Sequence, residues 1–145
     1  KKSPIGPLQP EVTQKQVDRI REAIQASKEK NIAIAQIDID GEVQTMTSLN
    51  GLTSPEGTIP RLDPKNKQFH IVESLDGAID HGDDSEVKIF EYVASRLSKS
   101  SIQTGNLYIY SERPPCASCM YVKDQFEKKF DYKIKVIFTN NPDME

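Results

Sequence analysis

The chain has few of the residues that usually build metal centres and disulfide frameworks. Its 145 residues include only two cysteines and two histidines. Two cysteines allow at most one disulfide, and two thiolates alone do not complete a zinc site, which in structural proteins has four ligands. Neither His70 nor His81 has a spacing that points to a structural zinc site. A metal site built on the two cysteines would therefore need a further ligand from elsewhere in the chain.

Long apolar segments are also missing. No run approaches the ~18 residues of a membrane span, and no signal-peptide pattern is present. The composition, 36% hydrophobic and 28% charged, is ordinary for a globular protein, and 145 residues suit one domain with a single core. Residues 1–10 contain three prolines and a glycine. We therefore expect residues 1–12 to be a linker from a larger protein and residues 13–145 to form one domain.

The sequence has no surplus of positive charge. The net charge of −3 weighs against a nucleic-acid substrate, because nonspecific binding to phosphates usually depends on a basic surface. A local basic strip would be sufficient, and five lysines concentrate positive charge towards the C-terminal end: Lys123, Lys128, Lys129, Lys133 and Lys135. The alternative is that these lysines are simply the solvated face of a helix and a strand.

The two cysteines lie in the segment Pro114-Pro115-Cys116-Ala117-Ser118-Cys119. Proline is tolerated in the first turn of a helix, so this segment predicts a helix N-terminus with both thiols on one face. The helix dipole there favours the thiolate, which is the form that binds metals. A redox pair or a disulfide is the alternative. The aromatic residue that usually neighbours a redox pair is missing, and a redox site would not use the carboxylates of Asp84 and Glu86.

A second amphipathic helix is predicted to begin at Asp84-Ser85-Glu86, with Ile89, Phe90, Val93, Ala94 and Leu97 on one face. Residues two apart do not face each other in the middle of a helix. Asp84 and Glu86 could both reach one metal site only from the first turn of that helix. This segment is therefore the best candidate for the missing ligand and for a carboxylate that moves protons.

At these residues the chain resembles the zinc-dependent nucleobase deaminases, whose signature is His-x-Glu followed by Pro-Cys-x-x-Cys. It is most similar to the deaminase domains at the C-termini of bacterial polymorphic toxins, over roughly residues 31–138. Asp84 stands where most of this superfamily has histidine. The segments that carry the likeness are Asp84–Lys88, Gly105–Ile109, Ser111–Cys119 and Gln125–Phe126.

The resemblance implies a zinc site and a catalytic glutamate. Asp84, Cys116 and Cys119 would hold Zn²⁺ and leave its fourth position to water, and Glu86 would carry the protons. The alternative third ligand is His81, with Asp84 only capping the helix. The alternative interpretation of Glu86 is an ordinary first-turn glutamate that favours the helix dipole. Zinc stoichiometry in variants of Asp84 and His81 separates the two ligand assignments.

The remaining pattern predicts an α/β fold. Helix, strand and turn signals predict a helix over 13–30, a hairpin of strands 31–39 and 42–47 joined at Asp40-Gly41, a helix over 85–97, a strand over 106–110, a helix to Lys129 and a strand over 132–138. This order implies a mixed sheet covered by helices. The resemblance makes it a cytidine-deaminase-like three-layer α/β/α fold with four to five strands.

The segment 49–67 is rich in proline and glycine and predicts a long loop, followed by a short extended piece at 68–72. In the resembled fold this region lies at the mouth of the pocket. The candidate substrate-binding residues are Asn50, Phe69, His70, Pro115 and Ser118. For the first three, a turn asparagine and a packed aromatic pair are the alternative interpretations.

The function that the resemblance implies is zinc-dependent hydrolytic deamination of a nucleobase, with cytosine in DNA, single-stranded in preference, as substrate. We expect a monomeric toxin domain, secreted as part of a larger bacterial protein, that acts in the target-cell cytoplasm and is blocked by a cognate immunity protein. DNA is favoured over RNA. The alternatives are a deaminase of free nucleosides or nucleotides, and a noncatalytic zinc-binding module of the same fold.

Overall fold

The computed structural model contains three helices and one four-stranded sheet in the part of the chain that it describes, residues 8–28, 30–39, 42–51, 54–60, 65, 69, 84–97, 104–113 and 117–141. In chain order the elements are α1 (Pro10–Ile24), β1 (Ile32–Ile39), β2 (Glu42–Leu49), α2 (Ser85–Leu97), β3 (Gly105–Ser111), α3 (Ala117–Lys129) and β4 (Ile134–Asn140). This confirms the predicted α/β class.

Helix α1 is displaced from its predicted range of 13–30. It begins at Pro10, whose missing amide proton costs nothing in the first turn, and it ends at Ile24 because Gln25 takes a left-handed conformation with φ 57°. The Arg21 guanidinium then donates to the carbonyls of Ser27 (2.5 Å) and Lys30 (2.8 Å). These bonds hold the segment after the helix in a turn, so the predicted last turns of the helix do not form.

The sheet has the strand order β2-β1-β3-β4. Strand β1 pairs antiparallel with both β2 and β3, whereas β3 and β4 are parallel, so the sheet is mixed as predicted. Ile39 lies opposite Glu42, the register that a hairpin requires, although the predicted turn residues Asp40 and Gly41 lie outside the described residues. Strand β4 starts two residues later than expected because Asp131 and Tyr132 both have positive φ angles.

Alternation along the strands divides the core between the two faces of the sheet. Helices α2 and α3 cover one face, where Phe126 is fully buried with its ring centroid 5.2 Å from that of Phe90 and 5.0 Å from that of Phe130. Helix α1 covers the other face, where Val17 packs in a smaller cluster with Tyr110. The protein is thus a three-layer α/β/α domain, as expected.

The strand ends and the helix start that form the site lie together at one end of the sheet. The end of β2 pairs with the start of β1, and the end of β3 pairs with the end of β4. Helix α2 begins at this end as well, since Asn50, directly after β2, bonds to the backbone of Ser85. Within the described ranges, none of the helices is both long enough and apolar enough to cross a membrane.

Candidate active site at the start of α2 and α3

Asp84 occupies the position just before α2. Its backbone carbonyl accepts a hydrogen bond from the Lys88 amide at 2.9 Å, the first i to i+4 bond of the helix. Asp84 is therefore the N-cap residue of α2. Its carboxylate is at the positive end of the helix dipole, where a negative charge is stabilised.

Cys119 lies in the first turn of α3 and brings a sulfur atom to the same place. It is buried, with 1% of its surface exposed, and its Sγ lies 3.8 Å from Oδ2 of Asp84. Zinc binds cysteine sulfur at about 2.3 Å and carboxylate oxygen at about 2.0–2.2 Å, which places two tetrahedral ligands about 3.6 Å apart. The observed separation therefore fits two ligands of one zinc ion.

Several predicted site residues lie outside the described residues: Cys116, His70, His81 and Pro115. Ser118 is described only as part of α3. Among the described residues there is no group of three or more His, Cys, Asp or Glu side chains that could hold a metal ion. The structure thus brings together two members of the predicted ligand set, Asp84 and Cys119, and the third ligand stays a prediction.

Glu86 is buried close enough to Asp84 for the two carboxylates to interact, with 5% of its surface exposed. The Ser85 hydroxyl donates to its Oε1 at 2.5 Å, and the Ser111 hydroxyl donates to its Oε2 at 3.2 Å. Burial raises the pKa of Glu86, and the hydrogen bond from Ser85 opposes this shift. A raised pKa suits a group that must both take up and release protons near neutral pH.

Asn31, Ser85 and Ser111 form a buried polar cluster around this carboxylate, and sequence reasoning gave none of them a role. The Asn31 amide nitrogen lies 2.8 Å from each of the two hydroxyl oxygens. One signal was available: Asn31 and Ser111 are polar residues at the ends of strands on the face that should be apolar. Only the pairing of β1 with β3 shows that these ends meet.

The two described candidates for substrate binding make structural contacts. Asn50 accepts a hydrogen bond from the backbone N–H of Ser85 through Oδ1, so it caps α2. Phe69 is 8% exposed, its ring centroid lies 6.2 Å from that of Phe126, and its N–H donates to Glu91. These contacts agree with the alternative interpretations, a turn asparagine and a packed aromatic residue. Their role in binding a base stays a prediction.

Two exposed cations lie close to the cluster. Arg113 follows Glu112, and its backbone N–H donates to Oδ1 of Asn31 at 3.3 Å. Lys30 precedes Asn31, and its side chain crosses Gly51, whose φ of +107° and lack of a Cβ make room for the ammonium group. The Lys30 ammonium group and the backbone of Arg113 therefore lie at the end of the sheet that carries Glu86.

The lysines that sequence analysis grouped together lie elsewhere. Lys133 and Lys135 flank the start of β4, which pairs with the start of β3, about 20 Å along the strand from Ser111. Lys123 is paired with Glu127 at 2.9 Å on α3. This arrangement agrees with a solvated surface rather than with a phosphate track that leads to the site.

Comparison with known proteins gives one finding. The model of the Toxin-deaminase family, described as the BURPS668_1122 family of deaminases, matches residues 14–141. Neither the curated proteins nor the solved structures gave a match. The matched range includes every element from β1 to β4 and residues 14–24 of α1.

Proposed function

Because the chain belongs to the Toxin-deaminase family of bacterial deaminases, we propose that it is a zinc-dependent hydrolytic deaminase of cytosine in DNA. The observation that carries this proposal is the buried Glu86 carboxylate next to the facing Asp84 and Cys119 side chains. A noncatalytic module would have no use for a desolvated glutamate beside a ligand pair, because an unneeded buried charge lowers stability. The structure therefore favours the catalytic interpretation.

Asp84 and Cys119 would hold the metal together with Cys116, which directly precedes α3 in the sequence. When bound, zinc would lower the pKa of a water molecule and so supply hydroxide at neutral pH. The charge of two thiolates and one carboxylate is partly offset by the N-termini of α2 and α3.

Glu86 carries the protons in the proposed reaction. It takes a proton from the attacking water, and a C–O bond forms at C4 of the pyrimidine. Glu86 then gives one proton to the ring nitrogen and helps a second to reach the amine, after which the C–N bond breaks and ammonia leaves. Cytosine and water thus yield uracil and ammonia, and Glu86 ends in its starting state.

Two features support nucleic acid as the substrate despite the net charge of −3. Lys30 and Arg113 put positive charge at the end of the sheet that carries the site, where the phosphates that flank a target base would lie. A base that is already unpaired can enter a pocket without the cost of unpairing and unstacking it from a duplex, which favours a single strand. The preference for DNA over RNA derives from the resemblance alone.

The decisive experiment is incubation of the purified chain with zinc and cytosine-containing substrates, with uracil detected by cleavage of the DNA strands and by mass spectrometry of the RNA and of the free nucleoside. Single-stranded DNA, duplex DNA, RNA and free deoxycytidine form the four arms. We expect the fastest conversion in single-stranded DNA. Conversion of deoxycytidine alone would replace the toxin proposal with a metabolic deaminase, and no conversion in any arm would reject the reaction.

We also propose that the domain is a monomer delivered as part of a larger secreted toxin, and that a cognate immunity protein blocks its site in the target-cell cytoplasm. The loop after β2 is suited to this contact because it starts beside the site. Lys88 anchors it, donating to the carbonyl of Leu49 at 2.7 Å and to the hydroxyl of Ser54 at 3.1 Å, while Glu56 and Gly57 stay exposed. Expression in bacteria with and without the immunity protein tests this proposal by growth and by C-to-T mutations.

A further inference from the structure

Asn31 is the residue to which the other members of the buried polar cluster connect. It precedes β1, is 6% exposed, and its Nδ2 lies 2.8 Å from the hydroxyl oxygens of both Ser85 and Ser111. On its other side, Oδ1 accepts the backbone N–H of Arg113 at 3.3 Å. A backbone N–H can only donate, so the amide oxygen must face Arg113 and the NH₂ group must face the serines.

The number of available hydrogens then fixes which groups donate and which accept in this cluster. The Asn31 amide has two N–H groups and donates one to each serine oxygen. Each serine has one proton of its own left to donate, and the nearest acceptor is a Glu86 oxygen, Oε1 for Ser85 and Oε2 for Ser111. Asn31 Nδ2 is farther from the carboxylate itself, at 3.4 Å from Oε1. Each oxygen of Glu86 is therefore held by one hydroxyl that Asn31 orients.

The cluster also joins three elements that are distant in the sequence. Asn31 stands at the start of β1, Ser85 in the first turn of α2 and Ser111 at the end of β3, and both serines are fully buried. The position of the Glu86 carboxylate is thus tied to the sheet and not to its own helix alone.

We propose that Asn31 is a positioning residue for Glu86, acting through the hydroxyls of Ser85 and Ser111. This inference rests on the proposed function, since it assigns a role relative to the proton-carrying group. Proton transfer requires the carboxylate within hydrogen-bond reach of the reacting atoms, and a misplacement of about 1 Å can cost a hundredfold in rate. Asn31 acts on the carboxylate chiefly through the two hydroxyls, so its effect is expected on the catalytic step and not on substrate binding.

The test compares Asn31→Ala, Ser111→Ala and the wild type with single-stranded DNA as substrate. We expect kcat to fall about tenfold to a hundredfold in Asn31→Ala and by a smaller factor in Ser111→Ala, with KM within about twofold and bound zinc unchanged. Ser111→Ala removes a single oxygen atom and so gives a folded variant even if Asn31→Ala does not fold. A rise in KM with unchanged kcat, or unchanged kcat in both folded variants, overturns the proposal.

Tyr110→Phe is the matched control. Tyr110 neighbours Ser111, is fully buried and donates a hydrogen bond to Gln14 at 2.7 Å, but it lies on the α1 face of the sheet. It should lose stability with no change in kcat. An equal fall in kcat in this variant would mean that loss of any buried hydrogen bond produces the effect, and the proposal would then be wrong.

A second measurement is independent of turnover and separates this inference from the proposed function. In urea unfolding, Asn31→Ala combined with Glu86→Gln should be non-additive, because the two side chains share hydrogen-bonding partners. Tyr110→Phe combined with Glu86→Gln should be additive. Additive behaviour of the first pair rejects the cluster as described, whether or not the protein deaminates DNA. A non-additive pair in a protein that converts no substrate would reject the proposed function and leave Asn31 without a catalytic group to position.

Discussion

Ser111 and Glu112 are adjacent in the chain, yet their side chains act on opposite faces of the sheet. The Ser111 hydroxyl donates to Glu86 on the α2 face, whereas Glu112 is paired with Arg21 of α1. Successive side chains along a strand point to opposite faces of the sheet, so these two adjacent residues contact helices on opposite sides of it. The end of β3 therefore connects the proposed catalytic carboxylate with the helix on the far side.

Glu86→Gln should abolish turnover and retain both the fold and zinc. Glutamine has nearly the same shape and can still accept one of the two serine hydrogen bonds through its carbonyl oxygen, although its NH₂ group can only donate to the other serine. It cannot take up the proton of the attacking water. We expect a loss of about 10²–10⁴-fold in kcat, measured by uracil formation in single-stranded DNA.

The control for this variant is Glu91→Gln, a change of another buried glutamate on the same helix. Glu91 accepts the N–H of Phe69 and does not belong to the Asn31 cluster. Its kcat should stay near the wild-type value. If Glu86→Gln kept wild-type turnover, the proton-transfer mechanism would have to be abandoned.

The zinc site can be tested by metal content. Cys116→Ser, Cys119→Ser and Asp84→Ala should each lose most of the bound zinc and lower the melting temperature, because a site present only in the folded state contributes its binding free energy to folding. Elemental analysis of the purified variants measures the first effect and thermal unfolding the second. Loss of zinc in His81→Ala with retention in Asp84→Ala would assign the third ligand to His81.

Asp84→His tests the electrostatics of the same position. Histidine is neutral when it binds zinc, so the ligand set would carry one negative charge less than with aspartate. Less negative charge on the metal makes its water more acidic. We therefore expect retained zinc and an activity optimum at lower pH than in the wild type, and an optimum at higher pH would contradict this.

Arg113→Gln and Lys30→Gln should weaken activity on DNA strands only. Loss of one charged phosphate contact should lower kcat/KM on a single strand about tenfold and reduce the slope of log kcat/KM against log salt by about 0.7. Deamination of free deoxycytidine should not change. The control is Lys135→Gln, near the start of β4 and away from the site. An equal loss of kcat/KM in this variant would show that net charge alone matters.

Glu112→Ala should destabilise the fold. Glu112 is buried, and its carboxylate also accepts the Ile32 amide at 3.1 Å and the Gln14 side chain at 3.0 Å. Its removal leaves the half-buried Arg21 without its carboxylate partner and the Ile32 amide without its acceptor, and an unsatisfied buried donor costs about 1–3 kcal/mol. Urea unfolding measures this change.

Lys123→Ala is the comparison for that variant, since it breaks the more exposed Lys123 and Glu127 pair on α3. A pair of this kind contributes at most about 1 kcal/mol. If both variants lost the same stability, the network around Glu112 would not be what holds α1 on the sheet.

The sequence alone determined the element types, the site helix and the family resemblance. The bounds of α2 were predicted as 85–97 and observed as Ser85–Leu97, because its apolar spacing is strong and its start is marked by Asp84. The antiparallel hairpin and the mixed sheet were likewise predicted from local pattern. Such features depend on neighbouring residues, whose periodicity and turn preferences can be read directly.

Only the tertiary structure decided which distant residues meet. The Asn31 cluster depends on the register of β1 with β3 and on the position in which α2 packs against these strands. No local sequence pattern specifies either. The end of α1 is a similar case, since Arg21 holds the following turn by bonds to Ser27 and Lys30. Hydrogen bonds between separated segments form only once the chain has folded, because their geometry is set by packing and not by sequence spacing.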